Sequence, residues 1–378
     1  MDVQEFRAAA RAWLAANMPR VDPDNPPNYQ IDDTAVWQRS RELQRRIHDG
    51  GFAGICFPAE YGGLGLTREY QRSFDDESAG YELPYPLNVP SLAICCATLL
   101  DVGSEAQKRE HISAALRGEE ILCQLLSEPG AGSDLASVKT RAVPNGKGFV
   151  LNGQKIWTTN AHHCHYMIAL VRTSGEAGDR HKGLSQVIVD LSLPGVTVRP
   201  ITDLSGDSHF CEVFFDNVQL PPDALIGQEG QGWEQVTAEL AFERSGPERL
   251  FSSIVLFDEW LAWLRATGER SEGALRLAGR VFTELAPLRA MSVAVQDKLV
   301  RGESPIVEAA LVKELGTTLE QSIPAAIADD LFAREASEVP LELLRTLNYV
   351  TEVAPSYSLR GGTRDILRGM IARGLGLR

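Results

Sequence analysis

The chain has 378 residues, 44% hydrophobic and 23% charged, and a formal net charge of −14. That length exceeds one ordinary core and sets two or three packed units as the expectation. The acidic balance excludes the basic surface that grips a phosphate backbone, so no nucleic-acid partner is expected.

The opening stretch "MDVQEFRAAARAWLAANMP" places Asp2 and Glu5 where a signal peptide carries positive charge. No apolar run is judged to approach the ~18 residues of a membrane span, so a cytoplasmic protein with no membrane span is expected. Residues 1–118 read as helices broken by loops. "EFRAAARAWLAANM" and "TAVWQRSRELQRRIHDGG" carry apolar residues at helical spacing, and the second stops at Gly50 and Gly51. "FPAEYGGLGLT" is a glycine-rich loop, and Ser104 opens another amphipathic helix.

Between 119 and 225 the texture turns to short β-rich runs, "KGFVLNG", "HYMIALVRT", "LSQVIVDL", "VTVRPI" and "EVFFDNVQL". Turn residues separate them at regular intervals, which predicts a compact antiparallel barrel or sandwich. In "SEPGAGSDLASVKT", Gly130, Gly132 and Ser133 offer backbone N–H groups in a tight turn. That shape suits an anion such as a pyrophosphate, although a plain loop explains it equally well. No Gly-x-Gly-x-x-Gly opens a helix after a strand, so this is no Rossmann fingerprint. In "NGQKIWTTNA", Trp157 lies beside Thr158 and Thr159 on what reads as a sheet edge. An aromatic plate with hydroxyls suits a flat heteroaromatic ligand, yet spacing alone favours Trp157 as core. "AHHCH" places His163 and His165 on one strand face without the further ligands a metal needs. Six cysteines without Cys-x-x-Cys spacing read as reduced, buried thiols.

From 226 to 378 long helices return, with breaks expected near Pro287, Pro305, Pro340 and Pro355. The apolar period between the breaks predicts an antiparallel bundle. Val236, Leu240, Glu243, Leu250, Ile254 and Phe257 fall near one helical face, which puts the Glu243 carboxylate in an apolar stripe. An unpaired charge there is costly, so Glu243 is either ion-paired with an arginine or a catalytic base. Pro247 cannot donate to the Glu243 carbonyl, and a kink there would aim the acid. Near the end, "SLRGGTRDILRGM" sets Gly361 and Gly362 before Thr363 and the last helix.

Together these residues resemble the acyl-CoA dehydrogenase family. The run "CQLLSEPGAGSDLASVKTRAVPNGKGFVLNGQKIWTTNA" is similar to its flavin-domain signature, and "FPAEYGGLGL", "GVTVRPI", "EVFFDNVQLP" and "GQGW…LAFER" recur in the family's order. The resemblance implies an N-terminal all-α domain (1–118), a middle antiparallel β-barrel domain (119–225) and a C-terminal four-helix bundle (226–378), with FAD between the β domain and the bundle. It implies α,β-dehydrogenation of an acyl-CoA substrate and electron delivery to an electron-transferring flavoprotein. Position by position, Leu126 and Ser127 would meet the flavin pyrimidine edge, and Gly132 and Ser133 the cofactor pyrophosphate, with Ser133 alternatively on the CoA arm. Trp157 would lie against the ring, Thr159 would reach N5, and Thr363 would cap the last helix and bond a cofactor phosphate.

Two departures from the family matter. Many members carry the base just before the Gly-Thr of the C-terminal segment, where this chain has Gly361, whose backbone N–H alone can serve the thioester carbonyl. A minority place the base in a Glu-Arg pair on the first long helix of the bundle, which Glu243 and Arg244 match, both then facing substrate. The family's Arg-x-x-Phe-Gly and Gln-x-x-Gly-Gly-x-Gly motifs for the adenine end of FAD are missing; the corresponding stretches read "WLRATGERSEGALR" and "LELLRTLNYVTEVAP". The resemblance therefore implies an oligomer, homomeric or of α2β2 type. It leaves a second role open, that of a non-catalytic subunit completing another chain's flavin site.

Overall fold

Asp2 opens the first helix through a capping box: its side chain accepts from Glu5 N–H, and the Glu5 side chain returns to Asp2 N–H. A computed structural model describes residues 1–21, 34–246, 251–335 and 338–377. Helix α1 (Val3–Asn17) buries Phe6, Ala10 and Leu14, the spacing of one helical face, among residues of α2 (Thr34–Asp49) and α3 (Arg68–Ser78). Gly51, at φ +76°, follows the end of α2 in the left-handed region that glycine tolerates.

Helices α4 (Tyr85–Leu87) and α5 (Ala97–Val102) are joined by a π-helical stretch, Asn88–Cys96, into one run. Tyr85–Val102 has a mean hydropathy of 1.3 and, by length and composition, is long and apolar enough to cross a membrane, which corrects the expectation that no such run exists. In the fold, its Cys95, Cys96 and Leu99 are fully buried, and Ser91 exchanges hydrogen bonds with Leu122 of the first strand. Ser104 caps α6 (Glu105–Gln107), reciprocated by Gln107, and a second π-helical stretch leads into α7 (Ser113–Leu116).

One sheet follows, with strands β1 (Leu122–Leu125), β2 (Arg141–Pro144), β3 (Phe149–Thr159), β4 (Tyr166–Arg172), β5 (Leu184–Asp190), β6 (Val196–Ile201), β7 (Phe210–Leu220) and β8 (Leu225–Ile226). Their order is β6-β7-β3-β2-β4-β5-β8, with β1 added beside β4. Among the described residues β6 and β8 do not pair with each other, so the expected barrel is instead an open sheet. Nor is it purely antiparallel, because β1 and β2 both run parallel to β4. Alternation of apolar residues identifies a strand but not its neighbours.

The chain divides into two compact units, residues 1–235 and 236–378, the boundary falling inside α8 (Gly232–Ser245). The second unit is helical: α9 (Ile254–Thr267), α10 (Glu272–Val300), α11 (Ile306–Phe332), α12 (Leu341–Val353) and α13 (Arg364–Gly374). Helices α9 to α12 share one core, with Phe257 and Trp260 from α9, Val281 from α10, Leu319 and Ile323 from α11 and Leu347 from α12. Pro305 and Pro340 stand at helix starts as expected, but α10 runs straight through Pro287. Packing of a 29-residue helix outweighs the one backbone bond that this proline forfeits.

Candidate active site

In the first unit the loop after β1 is pinned from below by Lys155 of β3. This side chain is fully buried, and its Nζ donates to the Leu126 carbonyl and to Glu128 Oε1, each at 3.0 Å. Glu128 also accepts the N–H groups of Lys139 at 2.7 Å and Thr140 at 2.9 Å. Burial pulls the Lys155 ammonium down to about 8, with Glu128 opposing. Burial alone would raise Glu128, but Lys155 and the two N–H groups outweigh it and hold the carboxyl below its usual range. Ser127 is tied to the same strand, its carbonyl accepting Ile156 N–H at 3.0 Å. Glu128 and Ala131 exchange backbone bonds around the turn, and a Cβ at Gly130 or Gly132 would meet nothing within 4 Å. Gly132 and Ser133 are exposed, so the turn lies on an open face.

Trp157 overturns the core reading: it is 56% exposed. Its φ is +63°, at a bulge between Lys155 and Thr158, and a bulky residue in that region is strained by about 1–3 kcal/mol. Its indole meets Phe210 edge to face, with centroids 5.9 Å apart. β3 as a whole lies between β7 and β2, but β2 pairs with it only over residues 149–152, so Trp157 stands on the free end of the strand, as expected. Thr159 is exposed, whereas Thr158 points inward with an Oγ1 that has no partner among the described residues. Asn160 is likewise left-handed, φ +56°, with an unpartnered buried Oδ1. An exposed indole plate, an orphaned hydroxyl beside it and an exposed glycine turn fit the ring and phosphate ends of a flavin nucleotide.

The histidine cluster does other work. Ala161–His163 is a 3-10 turn rather than strand; the His162 ring lies 3.0 Å from Cys211 Sγ, His163 stacks on Trp37, and the His165 ring accepts Ile121 N–H. No metal-competent cluster occurs among the described residues. The cysteines are free as expected, but Cys56 is exposed rather than buried.

In the helical unit Glu243 is half-buried near the end of α8 and Arg244 is buried beside it. The apolar stripe is not one helix, because α8 ends at Ser245 and α9 begins at Ile254. Pro247 and Leu250, and with them the kink, lie outside the described residues. Arg244 Nε donates to the Gly361 carbonyl at 2.8 Å, so this guanidinium, expected on the substrate side, engages the glycine turn. Burial lowers the Arg244 pKa, and the neighbouring Glu243 opposes that. Gly361 and Gly362 have φ of +67° and +107°, a pair of conformations that side chains resist. Thr363 holds the N-cap position of α13, but its side chain makes no capping hydrogen bond, contrary to expectation.

Sequence reasoning missed how this turn is held. Lys313 of α11 is fully buried and donates to the Tyr357 carbonyl at 2.6 Å, and Gln321 donates to Ala354 at 3.0 Å. Arg360 pairs with the fully buried Glu320 at 3.3 Å, and Arg364 and Arg368 both pair with Glu314 at 2.8 Å. The available signal was Lys313, Thr317 and Glu320 recurring at helical spacing inside an apolar helix. Where the family's adenine motif would place adjacent glycines, α12 is an unbroken helix, with Leu343, Leu347 and Val350 buried.

Residues 2–119 match the family model "Acyl-CoA dehydrogenase, N-terminal domain" and residues 123–218 match "Acyl-CoA dehydrogenase, middle domain". These matches, with the fold, define a flavoprotein oxidoreductase. The chain belongs to the acyl-CoA dehydrogenase family. It is 34% identical over 315 residues to the acyl-CoA dehydrogenase IpdE1 of Mycobacterium tuberculosis, covering 81% of this chain and 79% of that one. Among solved structures it is similar to a variant of the Tcur3481-Tcur3483 steroid acyl-CoA dehydrogenase, with a TM-score of 0.81, 28% identity, and coverage of 100% of this chain and 98% of that chain. It is also similar to a chain of the ChsE4-ChsE5 complex from Mycobacterium tuberculosis, with a TM-score of 0.76, 25% identity, and coverage of 100% and 97%.

Proposed function

We propose that the chain catalyses FAD-dependent α,β-dehydrogenation of an acyl-CoA thioester to the trans-2-enoyl-CoA, with Glu243 as the base. The observation that carries this reading is the link between the acid and the glycine turn: Arg244, adjacent to Glu243, is hydrogen-bonded to Gly361 at 2.8 Å. Among the described residues no backbone carbonyl accepts the Gly361 N–H. An available donor and a carboxylate on one anchored assembly can polarise a thioester carbonyl and remove the proton next to it. Half-burial of Glu243 keeps the carboxylate reachable while limiting competing water. In the first unit, Leu126, Ser127, Gly132, Ser133, Trp157 and Thr159 are the residues that would hold FAD. When bound, FAD would accept the hydride from the β-carbon, and an electron-transferring flavoprotein would take up the electrons.

Glu243→Gln tests the assignment. The variant should retain flavin yet lose at least about 1,000-fold in the rate at which acyl-CoA bleaches it, the scale expected for removing an essential base. Bleaching at the wild-type rate would sink it. A panel of straight, branched and ring-bearing acyl-CoAs, including a steroid side chain, with an artificial acceptor would define the acyl class.

A second reading is favoured by the unbroken α12 and by relatives named as two-component proteins. In it the chain is one subunit of a heteromer and completes a partner's flavin site. A protein that is colourless when purified alone, and gains flavin only with a second chain, supports this reading.

A further inference from the structure

Two adjacent glycines at φ +67° and +107° form the most conformationally free dipeptide a chain can have. Their flanks are fastened: Arg360 to Glu320 on one side, Arg364 to Glu314 on the other. Neither tether fixes the peptide planes between the glycines. The Gly361 carbonyl, however, receives the Nε–H of a buried guanidinium at 2.8 Å. A charge-assisted bond to a carbonyl is among the stronger ones available, and burial reduces competition from water. A Cβ at Gly362 would lie 3.5 Å from the other end of the same guanidinium, so that group packs along both glycines.

We infer that Arg244 is a positioning residue: by bonding the Gly361 carbonyl it sets the rotation of the glycine turn, and so aims the Gly361 N–H and ties it to the helix that bears Glu243. The inference deepens the proposed function and rests on it for its kinetic part. Arg244 itself need not touch the substrate. Its contribution is that the donor and the base keep one geometry, for which small misplacements are costly.

The test compares Arg244→Met, which keeps the length without a donor, with Arg244→Lys, which keeps a donor. Hydrogen exchange of the peptide spanning 359–364 is expected to quicken by about tenfold in the Met variant, while peptides from α9 to α12 stay unchanged. The turnover number should fall by about tenfold to a hundredfold with KM altered by less than about threefold, and Lys should recover most of both effects. Wild-type exchange in the Met variant overturns the proposal. So does faster exchange throughout the helical unit with Lys no better than Met, which would make Arg244 a stability residue only. Faster local exchange with unchanged turnover also overturns it. If the wild type bleaches with no acyl-CoA, the functional reading fails by itself, and the exchange measurement still decides whether Arg244 sets the turn.

Discussion

Trp157 and Gly361 adopt nearly the same left-handed backbone angle, +63° and +67°, although one carries the largest side chain and the other none. Behind each turn stands a fully buried lysine donating to a backbone carbonyl, Lys155 to Leu126 and Lys313 to Tyr357. The two regions solve one problem differently. The sheet accepts strain so that an indole can stand exposed, whereas the helical unit removes the side chain and fastens the flanks of the turn to α11. Backbone strain of this kind clusters at ligand-binding elements, and a glycine turn can present its N–H groups, which is what the proposed function asks of each region.

The comparison breaks most easily at the lysines. Lys155→Met leaves the Glu128 carboxylate without its buried partner and should cost about 3–5 kcal/mol in urea denaturation of the first unit. Lys313→Met removes donors to a carbonyl and to the Thr317 hydroxyl and should cost less, about 1–3 kcal/mol. Equal losses would mean that the Glu128 partnership matters little. Next come the strained positions, where opposite signs are expected. Trp157→Gly should stabilise the fold by about 1 kcal/mol and Gly361→Ala should destabilise it by about 1–2 kcal/mol, read by thermal melting. A Trp157→Gly variant no more stable than wild type would remove the strain argument.

A further expectation separates the regions by pH. Burial pushes the Tyr357 hydroxyl up to about 12, above its ordinary value of 10. A group raised in the folded state contributes stability that is fully present below pH 10 and is lost as pH rises through about 12. The helical unit should therefore weaken over that window, with late tyrosinate absorbance. Tyr357→Phe should blunt the loss, and an unchanged alkaline midpoint would place the cause elsewhere.

How far the sequence carried these conclusions follows from what each signal encodes. Runs of β-forming residues between turn residues revealed β3, β4, β5, β6 and β7, but β1, β2 and β8 have four residues or fewer, too short to stand out as runs. Pairing is a long-range property, so an open sheet with two parallel contacts read as a closed antiparallel barrel. Caps were legible at Ser104 and Gly51 because they act within one turn of helix. Pro287 misled because its cost is local while the packing that overrides it is not. At the candidate site, motif resemblance supplied Glu243, Trp157 and the glycine pair. The Arg244–Gly361 bond spans 117 positions, and no local pattern announces it.

Cys56 is the one exposed thiol among six cysteines; Cys164 is half-buried and the other four are buried. Partial burial raises its pKa, which slows its alkylation relative to an ordinary thiol. The native chain thus has a single attachment point for a fluorophore or spin label, allowing its opening motions and assembly to be followed without altering a residue.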